Sequence, residues 1–257
     1  MNAKEGKERA SGKKRLDAVL VERGLVETRA RARAVIMAGD VYVDGVRTDK
    51  AGALVKEGSE IAVKDTSLKY VSRGGIKLEA ALKEFRIDPE GEIAVDIGAS
   101  TGGFADCLLR SGAAKVYAVD VGYGQLDWKL RQDPRVIIRE KLNARYIKPE
   151  DICEPADIVV IDVSFISLTM IIPPTLALLK SGGVLIALIK PQFEVGKGEV
   201  GKGGIVRDEA KYREVIDKIT EFVKSLGVSV LGVIQSPIEG AEGNKEFLIA
   251  AVKGNED

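Results

Sequence analysis

The fold is decided by the stretch Val95-Asp96-Ile97-Gly98-Ala99-Ser100-Thr101-Gly102-Gly103-Phe104, where an apolar strand enters a loop of small residues and a helix follows. Small residues let the backbone turn tightly and approach a ligand. Outward from this stretch, strand-like and helix-like segments alternate, which predicts an α/β fold with a mostly parallel sheet. The predicted strands are 93–97, 115–120, 136–138, 158–162, 184–189, 228–234 and 247–252, and the clearest helix is 208–225.

Two acidic residues beside this loop indicate the kind of cofactor. Asp120 ends the second strand, where a carboxylate can accept hydrogen bonds from a ribose diol. Asp96 stands two residues before Gly98 and suits a cationic amino-acid cofactor better than a diphosphate. Ser100 replaces the second glycine of the nicotinamide-dinucleotide pattern, so S-adenosylmethionine is favoured over that alternative. The predicted cofactor-binding residues are Asp96, Gly98, Ser100, Thr101, Gly102, Gly103, Phe104, Asp120 and Asn143.

Charged residues are predicted to meet at the carboxyl edge of the sheet, where open α/β sheets bind their ligands. Asp162 ends the fourth strand and Lys190 follows the fifth. If the last strand runs antiparallel, Glu246 at its start reaches the same edge. Lys77 would join them if its helix packs beside the site. The alternative is a set of ordinary surface ion pairs, which contribute little.

This arrangement suits a weakly acidic hydroxyl as methyl acceptor, because ammonium groups stabilise the negative charge that develops on oxygen. Lys190 could instead act as the base if its pKa were lowered, and the sequence leaves both roles open. Methylation of base amino groups usually needs prolines after the acid, and Asp162 is followed by Val163-Ser164-Phe165. Carbon methylation of pyrimidines needs a cysteine nucleophile, and Cys107 and Cys153 are interpreted as core residues.

Composition narrows the chemistry further. The chain of 257 residues contains no histidine, which excludes Ser-His-Asp triads and His-ligated metals, and no metal site is predicted. A glycine-rich run over 196–203 resembles a phosphate-binding P-loop, but Gly203 stands where Ser or Thr binds magnesium. The run is interpreted as a basic loop over the site. No segment is long and apolar enough to span a bilayer, so a cytoplasmic protein without a membrane partner is expected.

The amino-terminal part differs from the rest. Residues 1–38 hold ten Lys or Arg against five Asp or Glu, which indicates a polyanionic partner. Residues 1–12 are interpreted as a mobile tail. A helix is predicted from 16 to 23, and Thr28 is expected to cap a second helix ending at Gly39. A strand at 41–43, an Asp44-Gly45 turn and a returning strand at 61–63 follow.

Arginines on the second predicted helix form a candidate RNA surface. Arg29 and Arg33 lie four residues apart and share a face, with Ala30, Ala34 and Met37 expected to pack on the other. Guanidinium groups pair with phosphate oxygens, although a solvated helix face is the alternative. The predicted RNA-binding residues are Lys14, Arg15, Arg29, Arg31 and Arg33.

Residues 13–64 resemble the S-four, or alpha-L, RNA-binding domain in order and spacing. The resemblance rests on Arg15-Leu16-Asp17, Leu20, Gly24-Leu25, Thr28-Arg29, Ala32, Ile36, Gly39 and Val41-Tyr42-Val43-Asp44-Gly45. It implies binding to structured RNA through shape and phosphate contacts.

Nearly the whole chain from residue 13 resembles the TlyA, or hemolysin A-like, family. The motifs are Ser72-Arg73-Gly74-Gly75-Ile76-Lys77-Leu78, the Asp96–Phe104 loop, Ile161-Asp162-Val163-Ser164-Phe165-Ile166-Ser167, Lys190-Pro191-Gln192-Phe193-Glu194 and Gly243-Asn244-Lys245-Glu246. The resemblance implies a small α+β RNA-binding domain over 13–64, a linker over 65–72 and an FtsJ-like, Rossmann-like class I methyltransferase domain over 73–253, with its last strand antiparallel.

That resemblance also implies an activity. The expected reaction is 2′-O-methylation of cytidine in ribosomal RNA or assembled ribosomal subunits, with S-adenosylmethionine as cofactor. Lys77, Asp162, Lys190 and Glu246 would form the catalytic tetrad. Two alternatives stay open at this point: an RNA-binding protein with an inactive methyltransferase fold, and a membrane-acting hemolysin. No amphipathic, aromatic-rich segment supports the second.

Overall fold

The computed structural model describes residues 13–26, 28–37, 39–63, 69–196, 200–201, 204–240 and 243–254. The chain divides into two compact units, Met1–Ser67 and Leu68–Asp257, here called the N-terminal and C-terminal units. The predicted tail over 1–12 and part of the predicted linker lie outside the described residues.

The N-terminal unit combines two helices with short strands. Its elements are β1 (Lys13–Arg15), α1 (Leu16–Glu22), α2 (Arg29–Met37), β2 (Val41–Val43), β3 (Val46–Arg47), β4 (Leu54–Lys56) and β5 (Ile61–Val63). In the described part of this unit, β1 pairs with β4, and β2 lies between β3 and β5, all antiparallel. The sequence did not predict β1, β3 or β4: β1 contains no apolar residue, β3 has only two residues, and β4 has a single buried residue, so none shows a recognisable alternation.

Two local features of the N-terminal unit, a helix cap and a hairpin turn, agree with the sequence prediction. Thr28 Oγ1 accepts a hydrogen bond from the Arg31 N–H at 3.1 Å, which is the predicted helix cap. Asp44 and Gly45 both have positive φ, as a tight hairpin turn requires. The predicted packing side of α2 is wrong in part, because Ala30 and Met37 are exposed. Of the predicted packing side only Ala34 is buried, and it is buried together with Ala32, Val35 and Ile36.

The C-terminal unit alternates helices and strands. Its elements are α3 (Gly74–Phe85), β6 (Ile93–Ile97), α4 (Gly103–Arg110), β7 (Lys115–Asp120), α5 (Trp128–Gln132), β8 (Val136–Glu140), β9 (Ala156–Ile161), α6 (Leu168–Leu176), β10 (Leu179–Ile189), α7 (Pro191–Glu194), α8 (Glu209–Ser225), β11 (Val228–Gln235) and β12 (Phe247–Lys253). Two 3₁₀ turns, Ala144–Tyr146 and Pro149–Asp151, lie between β8 and β9.

The sheet of the C-terminal unit has the predicted class and direction. Among the described residues it has seven strands in the order β11-β12-β10-β9-β6-β7-β8. The strands are parallel except β12, which runs antiparallel to both β10 and β11. From β6 the chain continues to β7 and β8 on one side of the sheet and later to β9 and β10 on the other side. In open α/β sheets, ligands bind in the crevice at the carboxyl ends of the strands where the order changes direction in this way.

Helices cover both faces of this sheet. Successive strand residues alternate between two cores: Val95 and Val159 lie in one, while Ala94 and Ile158 lie in the other. Helices α6 and α8 contribute to the first core, and α3 and α4 to the second. Cys107 belongs to the second core, but Cys153 is exposed, so the expectation that both cysteines are core residues is wrong for Cys153. None of the helices in the described ranges has the length and apolarity needed to cross a membrane.

Candidate active site

The small-residue loop joins β6 to α4 and bends sharply at Ser100. Ser100 has a positive φ of 47°, a conformation that costs little for glycine but is uncommon for other residues. Its N–H donates a hydrogen bond to Oδ2 of Asp120 at 2.8 Å, while Oδ1 accepts one from Gly122 at 2.6 Å. Asp120 therefore holds the loop against the end of β7. Each carboxylate oxygen keeps a second lone pair for a ligand hydroxyl.

Two glycines are required because other backbone segments approach them closely. A Cβ at Gly98 would lie 2.3 Å from the carbonyl oxygen of Asp162, so the loop and the end of β9 pack directly together. A Cβ at Gly103 would lie 3.0 Å from the Gly75 nitrogen and closer still to the Ser72 side chain. The start of α4 therefore packs against the start of α3, the helix that carries Lys77. The condition that α3 packs beside the loop is fulfilled.

An open cleft lies beside this loop. Its walls are Ala99, Ser100, Ala118, Asp120, Gly122, Gln125, Leu126, Ile138 and Glu140. Apolar side chains line one part of the cleft, and two acids, Asp120 and Glu140, line another. Of these nine residues the sequence predicted Ser100 and Asp120 and missed the other seven. The position of Glu140 at the end of β8 was the one available signal, since it corresponds to Asp120 on β7.

Asp96 is fully buried at the end of β6. Its Oδ2 accepts a hydrogen bond from the Ala105 N–H at 2.9 Å, but within the described residues Oδ1 has no hydrogen-bond partner. Burial, reinforced by the negative charges of Asp162 and Asp120, raises the pKa of Asp96 to about 8. A buried acid with one unpaired oxygen is costly unless a ligand satisfies it.

These features fit S-adenosylmethionine. Oδ1 of Asp96 offers an acceptor to a cationic ligand, and the carboxylates of Asp120 and Glu140 line the cleft beside the loop, where they could accept hydrogen bonds from ribose hydroxyls. Two of the other predicted cofactor residues have structural contacts. The Phe104 ring is buried in the core, and the Asn143 side chain accepts a hydrogen bond from the Arg145 N–H, capping a 3₁₀ turn. Thr101 accepts a hydrogen bond from the Asp127 N–H through its carbonyl oxygen.

Lys190 and Asp162 form an ion pair at the carboxyl edge of the sheet. The Lys190 Nζ lies 2.6 Å from Oδ1 of Asp162, and it donates a hydrogen bond to Ser164 Oγ at 3.0 Å. Burial acts to raise the pKa of Asp162, but the positive charges of Lys190 and Lys77 outweigh it and leave the pKa below its usual value. Asp162 is therefore a carboxylate at neutral pH.

Lys77 and Glu246 form a second ion pair, joining α3 to the start of β12. The distance from Lys77 Nζ to Glu246 Oε2 is 2.5 Å, and the two side chains are only 11% and 4% exposed. The two pairs are neighbours because Ile189 at the end of β10 pairs with Phe247 at the start of β12, which puts Lys190 beside Glu246. The structure thus brings together all four residues that the sequence placed at this edge.

The segments that follow Asp162 and Lys190 contact each other through a pair of aromatic rings and a buried carboxylate. The rings of Phe165 and Phe193 lie 5.0 Å apart between centroids. The buried carboxylate of Glu194 accepts hydrogen bonds from Ser167 Oγ at 2.6 Å and from the Leu168 N–H at 2.7 Å. Of the glycine-rich run over 196–203, residues 197–199 and 202–203 lie outside the described residues.

The predicted RNA-binding residues of the N-terminal unit have partners that the sequence reading overlooked. Arg15, Arg29 and Arg33 all converge on the carboxylate of Asp17, which is fully buried. Lys14 pairs with Glu22 at 2.6 Å. Arg31 is half-buried. Arg29 and Arg33 share a face of α2, as predicted, and both contact the carboxylate of Asp17.

Comparison with known proteins agrees with this geometry. The family model for FtsJ-like methyltransferases matches residues 70–253, and that for the S4 (S-four) domain matches residues 14–61. The Bacillus subtilis protein YqxC is 50% identical over 240 residues, covering 93% of this chain and 85% of the relative. The 16S/23S rRNA (cytidine-2′-O)-methyltransferase TlyA of Mycobacterium tuberculosis is 44% identical, covering 91% and 88%.

A solved structure from Streptococcus thermophilus, which carries a hemolysin name, superposes with a TM-score of 0.75. It is 46% identical, and the match covers 96% of this chain and 90% of that one. The family match covers the sheet, the loop after β6 and all four converging charged residues. The protein therefore belongs to the FtsJ-like methyltransferase family and carries an S4 domain ahead of its methyltransferase domain.

Proposed function

We propose that the protein transfers a methyl group from S-adenosylmethionine to a ribose 2′-hydroxyl of ribosomal RNA, with cytidine as the modified nucleotide, in the cytoplasm. The observation that carries this proposal is the pair of adjoining ion pairs, Lys190–Asp162 and Lys77–Glu246, beside the loop after β6. The name of the 44% identical tuberculosis relative supports the same reaction.

The four charged residues have a chemical use in this reaction. A ribose hydroxyl becomes a good nucleophile only as its proton leaves, so the developing negative charge on oxygen must be stabilised. S-adenosylmethionine supplies an electrophilic methyl group on a sulfonium. Lys190 and Lys77 would hold the oxygen by charge and hydrogen bonds, while Asp162 and Glu246 keep the two ammonium groups in place.

The pairing of Lys190 favours an electrostatic role over the role of a base. Its neighbour Asp162 is ionised at neutral pH, so the resting site already contains a charged pair. In this mechanism the C–O bond would form as the bond between the methyl carbon and the sulfonium sulfur breaks, and the hydroxyl proton would pass to solvent. The mechanism also needs no cysteine: Cys107 is in the core and Cys153 is exposed on the segment that precedes β9.

The test is transfer of labelled methyl groups to purified ribosomal subunits and to protein-free ribosomal RNA. Digestion to nucleosides and mass spectrometry then identify the product. The expected product is 2′-O-methylcytidine in at least one of these substrates. Label in a base-methylated nucleoside, or no label in any ribosomal RNA, would overturn the proposal.

Two controls separate this function from the alternatives that the sequence left open. Binding of S-adenosylmethionine without transfer to any RNA would favour an inactive methyltransferase fold. Release of dye from phospholipid vesicles at micromolar protein would indicate membrane lysis, the property that the hemolysin names of relatives suggest. We expect no dye release.

A further inference from the structure

Three arginines of the N-terminal unit share one buried acid. The Arg15 guanidinium donates two hydrogen bonds to the Asp17 carboxylate, at 3.0 and 3.1 Å. Arg29 Nη2 lies 3.3 Å from both carboxylate oxygens, and Arg33 Nε lies 3.5 Å from Oδ2. The three arginines come from the end of β1 and from α2, while Asp17 lies in the first turn of α1. One side chain thus joins three elements.

Burial and charge distinguish Asp17 from an ordinary surface acid. Its side chain is 0% exposed, whereas the three arginine side chains are 50%, 55% and 54% exposed. Hydrogen bonds from Arg15, supported by Arg29 and opposed by burial, lower the pKa of Asp17 to about 2. One negative charge against three positive charges leaves a surplus of two at this surface.

The geometry also leaves guanidinium donors for a ligand. The contacts with Asp17 use two N–H-bearing nitrogens of Arg15 and one each of Arg29 and Arg33. Each guanidinium carries five N–H groups, and half of each side chain faces solvent. Without a central anion, three guanidiniums of like charge would repel one another, and long side chains would sample many rotamers.

We propose that Asp17 is a positioning residue for RNA binding: it holds Arg15, Arg29 and Arg33 in a fixed array that binds the phosphates of structured RNA. The proposal rests on the RNA methyltransferase function proposed above. It predicts that removing a negative charge from this RNA-binding surface weakens RNA binding. Long-range electrostatics alone would predict the opposite, because the domain becomes more positive.

The test compares Asp17→Asn with Glu22→Gln in the full chain. Both variants remove one carboxylate from α1, and Glu22 pairs only at the surface, where Lys14 is its partner. The probe is the ribosomal RNA or subunit that the wild type methylates. Affinity is measured between about 50 and 200 mM salt, a range in which phosphate contacts determine the slope of log K against log salt.

We expect Asp17→Asn to weaken RNA binding about tenfold and to reduce the magnitude of the salt slope by about one to two. In turnover, KM for RNA should rise while kcat stays close to that of the wild type. Glu22→Gln should bind as tightly as the wild type or more tightly. Equal or tighter binding by Asp17→Asn would overturn the inference, whereas a wild type that binds no ribosomal RNA would overturn the proposed function.

A second measurement does not depend on how well Asp17→Asn folds. Side-chain ¹⁵N relaxation of the arginine Nε–H groups in the free wild type should show that Arg15 and Arg33 are ordered before RNA is added. Exposed Arg145 serves as the comparison. Arginines that are as mobile as Arg145 in the free protein would contradict the preset array.

Discussion

Asp17 and Asp96 are both fully buried, yet their protonation differs. Arginine hydrogen bonds lower the pKa of Asp17 to about 2, whereas burial and neighbouring acids raise that of Asp96 to about 8. Asp162 lies close to Asp96, but two lysines lower its pKa. The difference teaches that cationic partners, and not depth alone, decide the charge of a buried acid. Asp17 and Asp162 both form ion pairs within the protein, with arginines and with Lys190. Oδ1 of Asp96, by contrast, has no hydrogen-bond partner in the described part of the chain, so a cationic ligand could pair with it.

The largest expected effect comes from removing the cation of Asp162. Lys190→Ala should reduce kcat at least about a hundred- to a thousand-fold, the usual loss for an electrostatic group at a developing oxyanion. Affinity for S-adenosylmethionine, measured by calorimetry, should change little. Lys180→Ala is the matched control, because Lys180 pairs with Asp157 at the opposite ends of the same two strands. Wild-type turnover by Lys190→Ala would remove Lys190 from the mechanism.

The second prediction concerns the buried pair of Lys77 and Glu246. Lys77→Ala leaves a buried carboxylate without its cation, which should lower the free energy of unfolding by about 3 kcal/mol. Lys224→Ala, from an exposed pair with Glu221, should cost less than about 0.5 kcal/mol. Urea unfolding monitored by Trp128 fluorescence gives both values. Equal losses in the two variants would mean that burial adds nothing to the first pair.

Acid should weaken the N-terminal unit through Asp17. The folded-state pKa lies below the unfolded value, so the stabilisation is present above about pH 4 and is lost as pH falls from 4 towards 2. Because the arginines are half exposed, we expect a loss of about 1–2 kcal/mol. Hydrogen exchange of peptides from residues 13–63 measures this loss. Asp17→Asn should lack this component, and an identical acid response in the variant would contradict the assignment.

The smallest predicted effect is a pH dependence of cofactor binding at Asp96. Below about pH 8 this acid carries a proton, which must leave before the carboxylate can pair with a cationic ligand. Affinity for S-adenosylmethionine should therefore rise by up to about tenfold per pH unit and level off above about pH 8. Asp96→Asn should bind more weakly and keep only the titration of the ligand itself. The same pH slope in that variant would exclude Asp96 as the source.

Much of the C-terminal unit could be predicted because its signals are local. Apolar runs predicted all seven strands, six of them within two residues of their observed ends, and the strand ends placed Asp162 and Lys190 at one edge. The exception is β10, which begins five residues before the predicted start. Three cofactor-cleft residues on the segment before α5 were missed, Gly122, Gln125 and Leu126, and they belong to no repeated pattern. Their role follows from a loop conformation and not from spacing.

In the N-terminal unit the sequence predicted local features but not the packing between elements. The helix cap at Thr28 and the Asp44-Gly45 turn are local features and were predicted. The packing side of α2 was not, because a helix with small and charged residues on several sides carries little periodic contrast. The sequence did not predict that Asp17 contacts the arginines, because Arg29 and Arg33 reach it only when α2 packs against α1.

By itself, the sequence determined the α/β class, the glycine loop, the antiparallel last strand and the charged residues at the carboxyl edge, because each follows from neighbours in the chain or from strand direction. Only the tertiary structure decided that Lys77 contacts Glu246, 169 positions away, and that Asp17 contacts three arginines. It also decided that one oxygen of Asp96 has no hydrogen-bond partner among the residues described. These features depend on how far each group is removed from water and on the distances between segments that are remote in the sequence. Both quantities come into existence only when the chain has folded.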